Sequence, residues 1–293
     1  MNNNWPQVLP RNGNFRFEKI NGKSHWFEIY KLNDLTYAFL EPNHWEEVIS
    51  YLIIGKTRAV LFDAGMGIAD IHAEVTTITS LPTIVINSHS HYDHIGGNHQ
   101  FNDIWSFRND FENDRIERGY SNSECRKYMT EESYINLPST VDLSTFFIPG
   151  IHITKYLHHK ETIDLGGRVL TVHSTPGETP GAISLSDDLY NIFFAGDLLY
   201  PGPLWLHLNE SNWFEFSRSI DYLSAMHDDI QHICPAHNEV CVSRDFVDEV
   251  KLGIEAINNN AIKGVVTGES LTFSFARFSI LTKRSAVSTE TPR

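Results

Sequence analysis

Four metal-binding side chains crowd into one short run, His89-Ser90-His91-Tyr92-Asp93-His94. His89 and His91 are two positions apart, so in extended chain both project to the same side. Asp93 and His94 follow where the chain is expected to turn into a helix. One ion cannot easily take all four from so short a loop. Two neighbouring ions can, the histidine pair holding one and the Asp-His pair the other. Imidazole with carboxylate suits zinc, iron or manganese. A two-metal site holds a bridging water that loses its proton near neutral pH and attacks a carbonyl polarised by a metal. Asp93 is then placed to carry the proton to a leaving group. Gly96-Gly97 lets the backbone pack closely behind such a site.

The elements around this run must position it. Thr83–Asn87 is a compact apolar run that reads as a buried strand. The motif therefore sits at the carboxyl end of a strand, entering a loop and then a helix, where α/β folds place chemistry. Upstream, Phe15–Ile20, His25–Leu32, Tyr37–Leu40, Val48–Ile54 and Ala59–Phe62 read as strands, with turn signals at Asn21-Gly22 and Asn33-Asp34. Ile68–Ser80 has helical character and ends at Leu81-Pro82. Residues 108–150 are polar and mixed, and read as one or two helices with irregular chain. Their Phe111, Ile116, Tyr120, Tyr128, Met129, Tyr134 and Ile135 have partial helical periodicity, as expected either of a cover over a pocket or of a helix pair packed only on the sandwich.

Strands return at Arg168–His173, Ala182–Leu185, Ile192–Ala195 and His232–Cys234. Trp213–Met226 is an amphipathic helix whose apolar face is read as Phe214, Ile220, Leu223 and Met226. Phe246–Ile257 is helical, Leu271–Leu281 reads as one late strand, and the tail from Lys283 as loose polar chain. Two halves of strands followed by helices predict an α/β architecture of two sheets face to face with helices outside. No linker separates them, so residues 1–293 are expected to form one domain.

Composition narrows the function. Apolar residues make up 41% of the 293, enough for a full core, and the net charge is −14. A nucleic-acid enzyme would show a basic face, so a small-molecule substrate is expected rather than a polynucleotide. Cys125, Cys234 and Cys241 form no C-x-x-C pair and fit a reducing compartment. Met1–Phe15 lacks a basic-then-apolar secretory run, and no apolar stretch is long enough to span a bilayer. The expectation is a cytoplasmic protein with no membrane span, its oligomeric state left open.

The His-x-His-x-Asp-His run resembles the signature of the metallo-β-lactamase superfamily, and four further motifs follow the family order. Leu61-Phe62-Asp63-Ala64-Gly65 resembles the early aspartate motif. Ser174-Thr175-Pro176-Gly177-Glu178-Thr179-Pro180-Gly181 resembles the loop that usually carries a third histidine. Phe194-Ala195-Gly196-Asp197 resembles the bridging-aspartate motif, and Cys234-Pro235-Ala236-His237 the final histidine motif. The resemblance covers about Tyr51 to Ile257 and implies an αββα sandwich with two divalent ions at one edge, zinc first, manganese or iron as alternatives. By the same resemblance His89 and His91 bind the first ion, Asp93, His94 and His237 the second, and Asp197 bridges. Asp63 would orient ligands from behind. Tyr200, three residues after Asp197, matches a tyrosine that lactonase-like members use to hydrogen-bond the substrate carbonyl. Trp205 would wall the pocket, in a loop shared with His207.

Glu178 departs from the common pattern, standing where most relatives have histidine. The alkylsulfatase branch uses a glutamate there, so Glu178 is expected on the first ion. With Asp93, Asp197 and a bridging hydroxide it would balance two divalent cations, and the harder ligand favours manganese or iron more than histidine would. The segment after His237 is too short for the glutathione domain of glyoxalase II enzymes, and His91 stands where flavodiiron proteins carry glutamate. What the resemblance implies is a dinuclear metal-dependent hydrolase of a small ester, thioester or lactone, nearest to the branch that includes an acyl-CoA thioesterase. A β-lactamase-like or sulfatase-like hydrolase, an oxidoreductase or a non-catalytic member of the fold are the alternatives.

Overall fold

Alternation along the strand Ile49–Ile54 sets the layering, because neighbouring side chains on a strand face opposite ways. Ile49, Tyr51 and Ile53 enter one apolar core while Leu52 and Ile54 enter another. The computed structural model describes Arg11, residues 13–226 and residues 230–287. Its first sheet has eight strands in the order Glu18–Ile20, Glu28–Asn33, Thr36–Leu40, Ile49–Ile54, Ala59–Phe62, Thr83–Ile86, Ile104–Phe107 and Lys155–Leu157. Pairing is antiparallel as far as Ala59–Phe62 and parallel beyond it. The second sheet has six strands, Thr162–Asp164, Val169–Ser174, Ile183–Asp187, Ile192–Gly196, His232–Pro235 and Val242–Ser243.

Tyr51, Val60, Phe62 and Ile86 of the first sheet meet Val172, Leu185, Phe194 and Cys234 of the second in the inter-sheet core. The helix Ile71–Ile78 covers the outer face of the first sheet through Ile71 and Val75. The helices Trp213–Ala225 and Asp245–Asn258 cover the second, through Phe216, Ile220, Leu223, Phe246 and Val250. This is the αββα sandwich expected from the sequence. Among the described residues no helix is long and apolar enough to cross a membrane.

Five local expectations change. Asn14–Arg16 is a 3-10 turn with Phe15 82% exposed, and the strand begins only at Glu18. Phe214 is also exposed, because the buried stripe of its helix runs Phe216, Ile220, Leu223, about two turns at helical spacing. The single late strand is a hairpin, Ser270–Ser274 against Phe278–Lys283, broken by a turn at Phe275. That hairpin joins Val265–Thr267 and Gly202–Leu206 in a four-stranded sheet, so Trp205 lies on a strand rather than in a loop. Of the tail, Arg284–Val287 forms a short helix, and residues 288–293 lie outside the described residues.

The segment 108–150 contains the helix Asp110–Arg118, the short helix Asn122–Cys125 and a two-residue pairing of Gly119–Tyr120 with Ile148–Pro149. Ile116, Tyr120 and Met129 pack into the outer core of the first sheet. Tyr128 and Ile135 are exposed.

Candidate metal centre

Thr83–Ile86 ends in a loop that delivers His89 and His91, and the chain then turns into the four-residue helix Tyr92–Ile95 with Asp93 and His94. The parallel strands Ile192–Gly196 and His232–Pro235 end side by side, placing Asp197 and His237 at one edge. A register shift between Phe194 and Gly196, with Gly196 at φ 56°, turns Asp197 into the site. Glu178 arrives on the loop after Val169–Ser174.

The seven side chains fall into linked triads. His89, His91 and Glu178 offer ligand atoms within 4.8 Å of one another, as do Asp93, His94 and His237. His89, His94 and Asp197 form a third such group that joins the two. Oε1 of Glu178 lies 3.5 Å from Nδ1 of His91, and Oε2 lies 3.6 Å from Nε2 of His89. Asp197 sets Oδ2 3.0 Å from Nε2 of His237 and Oδ1 3.3 Å from Nε2 of His94. Nε2 of His94, Oε2 of Glu178 and Oδ1 of Asp197 are buried without a hydrogen-bond partner. Orphaned imidazole and carboxylate ligand atoms aimed into one small space fit divalent cations.

The electrostatics agree. Burial and then the charge of Asp197 push the Glu178 carboxyl up to about 7. Burial also works against a charged His91, but Glu178 and Glu210 outweigh it and raise its pKa to about 10. Burial opposes ionisation of Asp197 too, yet His237 and His94 hold it well below the usual carboxylate range. Both carboxylates are favoured as anions by the neighbouring histidines, His91 for Glu178 and His237 with His94 for Asp197.

Three of the four histidines are oriented from behind. Nδ1 of His89 meets Oγ of Ser88 at 2.9 Å, Nδ1 of His94 meets Oδ2 of Asp63 at 3.0 Å, and Nδ1 of His237 meets the carbonyl of Glu46 at 2.7 Å. Asp63, at φ 64°, also accepts the Ser88 N–H at 2.7 Å through Oδ1, so one carboxylate fixes the start of the loop and its last histidine. Gly96 packs against Met66 and Gly67, and Gly97 against Ala64, the close approach their lack of a side chain permits.

Two carboxylates escape a reading of the sequence. Glu112, 1% exposed, accepts from the Ser90 N–H at 2.9 Å and Oγ at 2.5 Å, and from the Gly181 N–H at 3.0 Å. It ties the loop of His89 and His91 to the loop of Glu178. Glu210 lies 3.4 Å from Nε2 of His91 and 3.2 Å from Nη2 of Arg115. Both come from far along the chain and carry no local motif.

The triads open into a cleft of about 470 Å³ lined by Trp45, Tyr92, Tyr120, Tyr128, Tyr200 and Trp205 among others. Trp45 and Trp205 pack with centroids 5.4 Å apart, and Tyr92 stacks on Tyr128 at 4.9 Å. Tyr200 packs its ring 4.8 Å from that of His237. His207 packs its ring, tilted by 39°, 5.2 Å from that of Trp205 and is not among the cleft's lining residues. His173 lies elsewhere, held by Tyr222 and Ser186.

A family model described as the metallo-beta-lactamase superfamily matches residues 45–237. The acyl-coenzyme A thioesterase MBLAC2 of Bos taurus is 27% identical over 186 residues, which cover 59% of this chain and 63% of that protein. The Homo sapiens protein of the same name gives the same identity and coverage, so the chain spans 63% of the length of these relatives. A metallo-beta-lactamase from Pontibacter korlensis superposes with a TM-score of 0.55 at 15% identity, over 78% of this chain and 99% of that one. At that identity the likeness is one of fold.

Proposed function

Because the chain belongs to the metallo-beta-lactamase superfamily, we propose that it is a dinuclear metal-dependent hydrolase that cleaves an acyl thioester. The observation that carries this reading is the pair of triads, joined through Asp197, at the floor of an aromatic cleft. His89, His91 and Glu178 would hold one divalent ion, and Asp93, His94 and His237 the other, with Asp197 facing both. Bound there, the ions would supply the Lewis acidity that lowers the pKa of water and withdraws electrons from the acyl carbonyl. Zinc is the first candidate, with manganese or iron as alternatives that a carboxylate at this position suits better than a histidine would.

The remaining work falls to the chain's own groups. Tyr200 O–H donates to the acyl oxygen as it gains negative charge. The aromatic walls hold the acyl group and exclude water. Water adds to the acyl carbon, the carbon–sulfur bond breaks, and the products are a carboxylate, a thiol and one proton. Asp93 takes the proton from the incoming water and passes it to the departing sulfur. The thioester choice rests on the curated relatives, whose name specifies acyl-CoA thioesterase activity. The domain is read as one unit over residues 1–293, with 108–150 as an insert over the cleft.

The test is hydrolysis of matched acyl thioester, oxygen ester, lactone, β-lactam and sulfate-ester substrates, with zinc, manganese and iron supplied separately. Metal-dependent release of thiol, abolished by His89→Ala, is the expected result. Metal-dependent cleavage of any other class with the thioester untouched would replace the substrate assignment.

A further inference from the structure

The 108–150 segment brings three cations and one carboxylate, Glu124, to the wall of the cleft, although the chain as a whole carries −14. The cations are Arg115, Arg118 and Lys127. Their placement is built around Tyr120. The Tyr120 hydroxyl donates to the carbonyl of Ser90 at 2.9 Å, between His89 and His91, so its ring is fixed to the metal-binding loop. The guanidinium groups of Arg115 and Arg118 lie 5.9 Å and 5.6 Å from the centre of that ring. Lys127 follows the short helix Asn122–Cys125.

The charges on this wall are not equally committed. Arg115 is partly buried and paired with Glu210. Arg118 is 51% exposed, and its Nη1 pairs with Glu124 at 2.8 Å and donates to the carbonyl of Gly119 at 2.9 Å, which leaves Nη2 and Nε without a side-chain partner among the described residues. That carboxylate has partners of its own, the Ser121 N–H at 2.8 Å and Oγ at 2.6 Å, so Arg118 can leave it at little cost. Lys127 is exposed, with no ion pair among the described residues. A phosphate, with more charge and more acceptor atoms than Glu124, would compete successfully for Arg118 while meeting Lys127.

We infer that Arg118 and Lys127 form a phosphate-binding rim, and that the thiol half of the substrate is a phosphorylated, nucleotide-bearing thiol of the coenzyme A type. The inference rests on the thioesterase reading for its biological sense, but binding tests it without turnover. The acyl group lies inward among the aromatic walls and the thiol arm runs outward across Tyr120, so its phosphates reach the cationic edge. Recognition by exposed cations also makes the affinity salt-sensitive.

The experiment is calorimetry of the metal-loaded full chain with coenzyme A and with pantetheine, the same thiol arm without the nucleotide and its phosphates. Coenzyme A is expected to bind at least about ten-fold more tightly, with the advantage shrinking as salt rises. In the Arg118→Gln/Lys127→Glu double variant the ratio of the two affinities should fall to near one. Equal binding of both ligands by the unmodified protein, or a ratio unmoved by the double variant, would overturn the rim. Failure to hydrolyse acyl-pantetheine and acyl-coenzyme A alike, with the binding preference intact, would instead overturn the thioesterase reading.

Discussion

Oε1 of Glu178 lies 3.5 Å from Nδ1 of His91, and this pair closes the first triad. If that carboxylate holds a cation, removing its charge while keeping its shape should empty one position and spare the other. Glu178→Gln is expected to lower bound metal from near two ions per chain to near one, read by elemental analysis after dialysis. Metal content equal to that of the unmodified protein would place Glu178 outside the coordination set.

Glu112 is expected to act on the same triad from a distance. It joins Ser90 to Gly181 through three hydrogen bonds, and glutamine cannot accept all of them. Glu112→Gln should weaken metal affinity about 10- to 100-fold, the usual range for a residue that orients ligands. Competition with a fluorescent chelator measures this directly. Loss of thermal stability with unchanged metal affinity would reduce Glu112 to a structural role. The same contacts mean that cutting out residues 108–150 disturbs the metal loops as well as the cleft, so point variants are the cleaner test of the segment.

Tyr200 offers a hydroxyl next to His237 in the cleft. Tyr200→Phe keeps the ring and removes the donor. A fall in kcat of about 10- to 100-fold, with KM and metal content little changed, is expected of a group that stabilises developing charge on the acyl oxygen. An equal rise in KM with kcat intact would make it a binding contact.

His173 provides a pH dependence away from the metal centre. Burial, then Lys160 and His159, lower its pKa to about 4. The folded state thus keeps it neutral, with Nδ1 on the Tyr222 hydroxyl and Nε2 on Oγ of Ser186, both at 2.8 Å. The unfolded chain takes up a proton near pH 6.5, so the stabilisation is complete above that value and is lost as pH falls towards 4. Its loss approaches about 1.4 kcal/mol per pH unit inside this window. Melting curves of chelator-treated protein at pH 7.5 and 5 should show a steeper decline for the unmodified chain than for His173→Gln. Parallel declines would show that His173 does not report on acid stability.

Where the chemistry was local, the sequence was legible. Ala59–Phe62 forms the expected strand, and the six-residue run from His89 to His94 turns from strand end to helix as its spacing requires. Asp63, Asp197 and His237 were reachable because each follows a strand in a family-like motif. Glu112 was not, since a glutamate in a polar helix reads as a solvated face until a loop 69 residues away is folded against it. Glu210 meets His91 across 119 positions. Gly202–Leu206 was missed because Pro203 discourages a strand reading and its partner, Phe278–Lys283, lies near the far end of the chain. The periodicity of Trp213–Met226 predicts a helix, which forms at Trp213–Ala225, but its buried stripe starts at Phe216 rather than at Phe214.

The most direct test of the central claim is metal content measured beside thiol release on one preparation. The chain, loaded with zinc or manganese and dialysed, should carry close to two ions per molecule and release thiol from an acyl thioester. A strong chelator should remove both properties, and added metal should restore both. One ion or fewer after full supplementation, or thiol release that persists in chelator-stripped protein, would contradict the account.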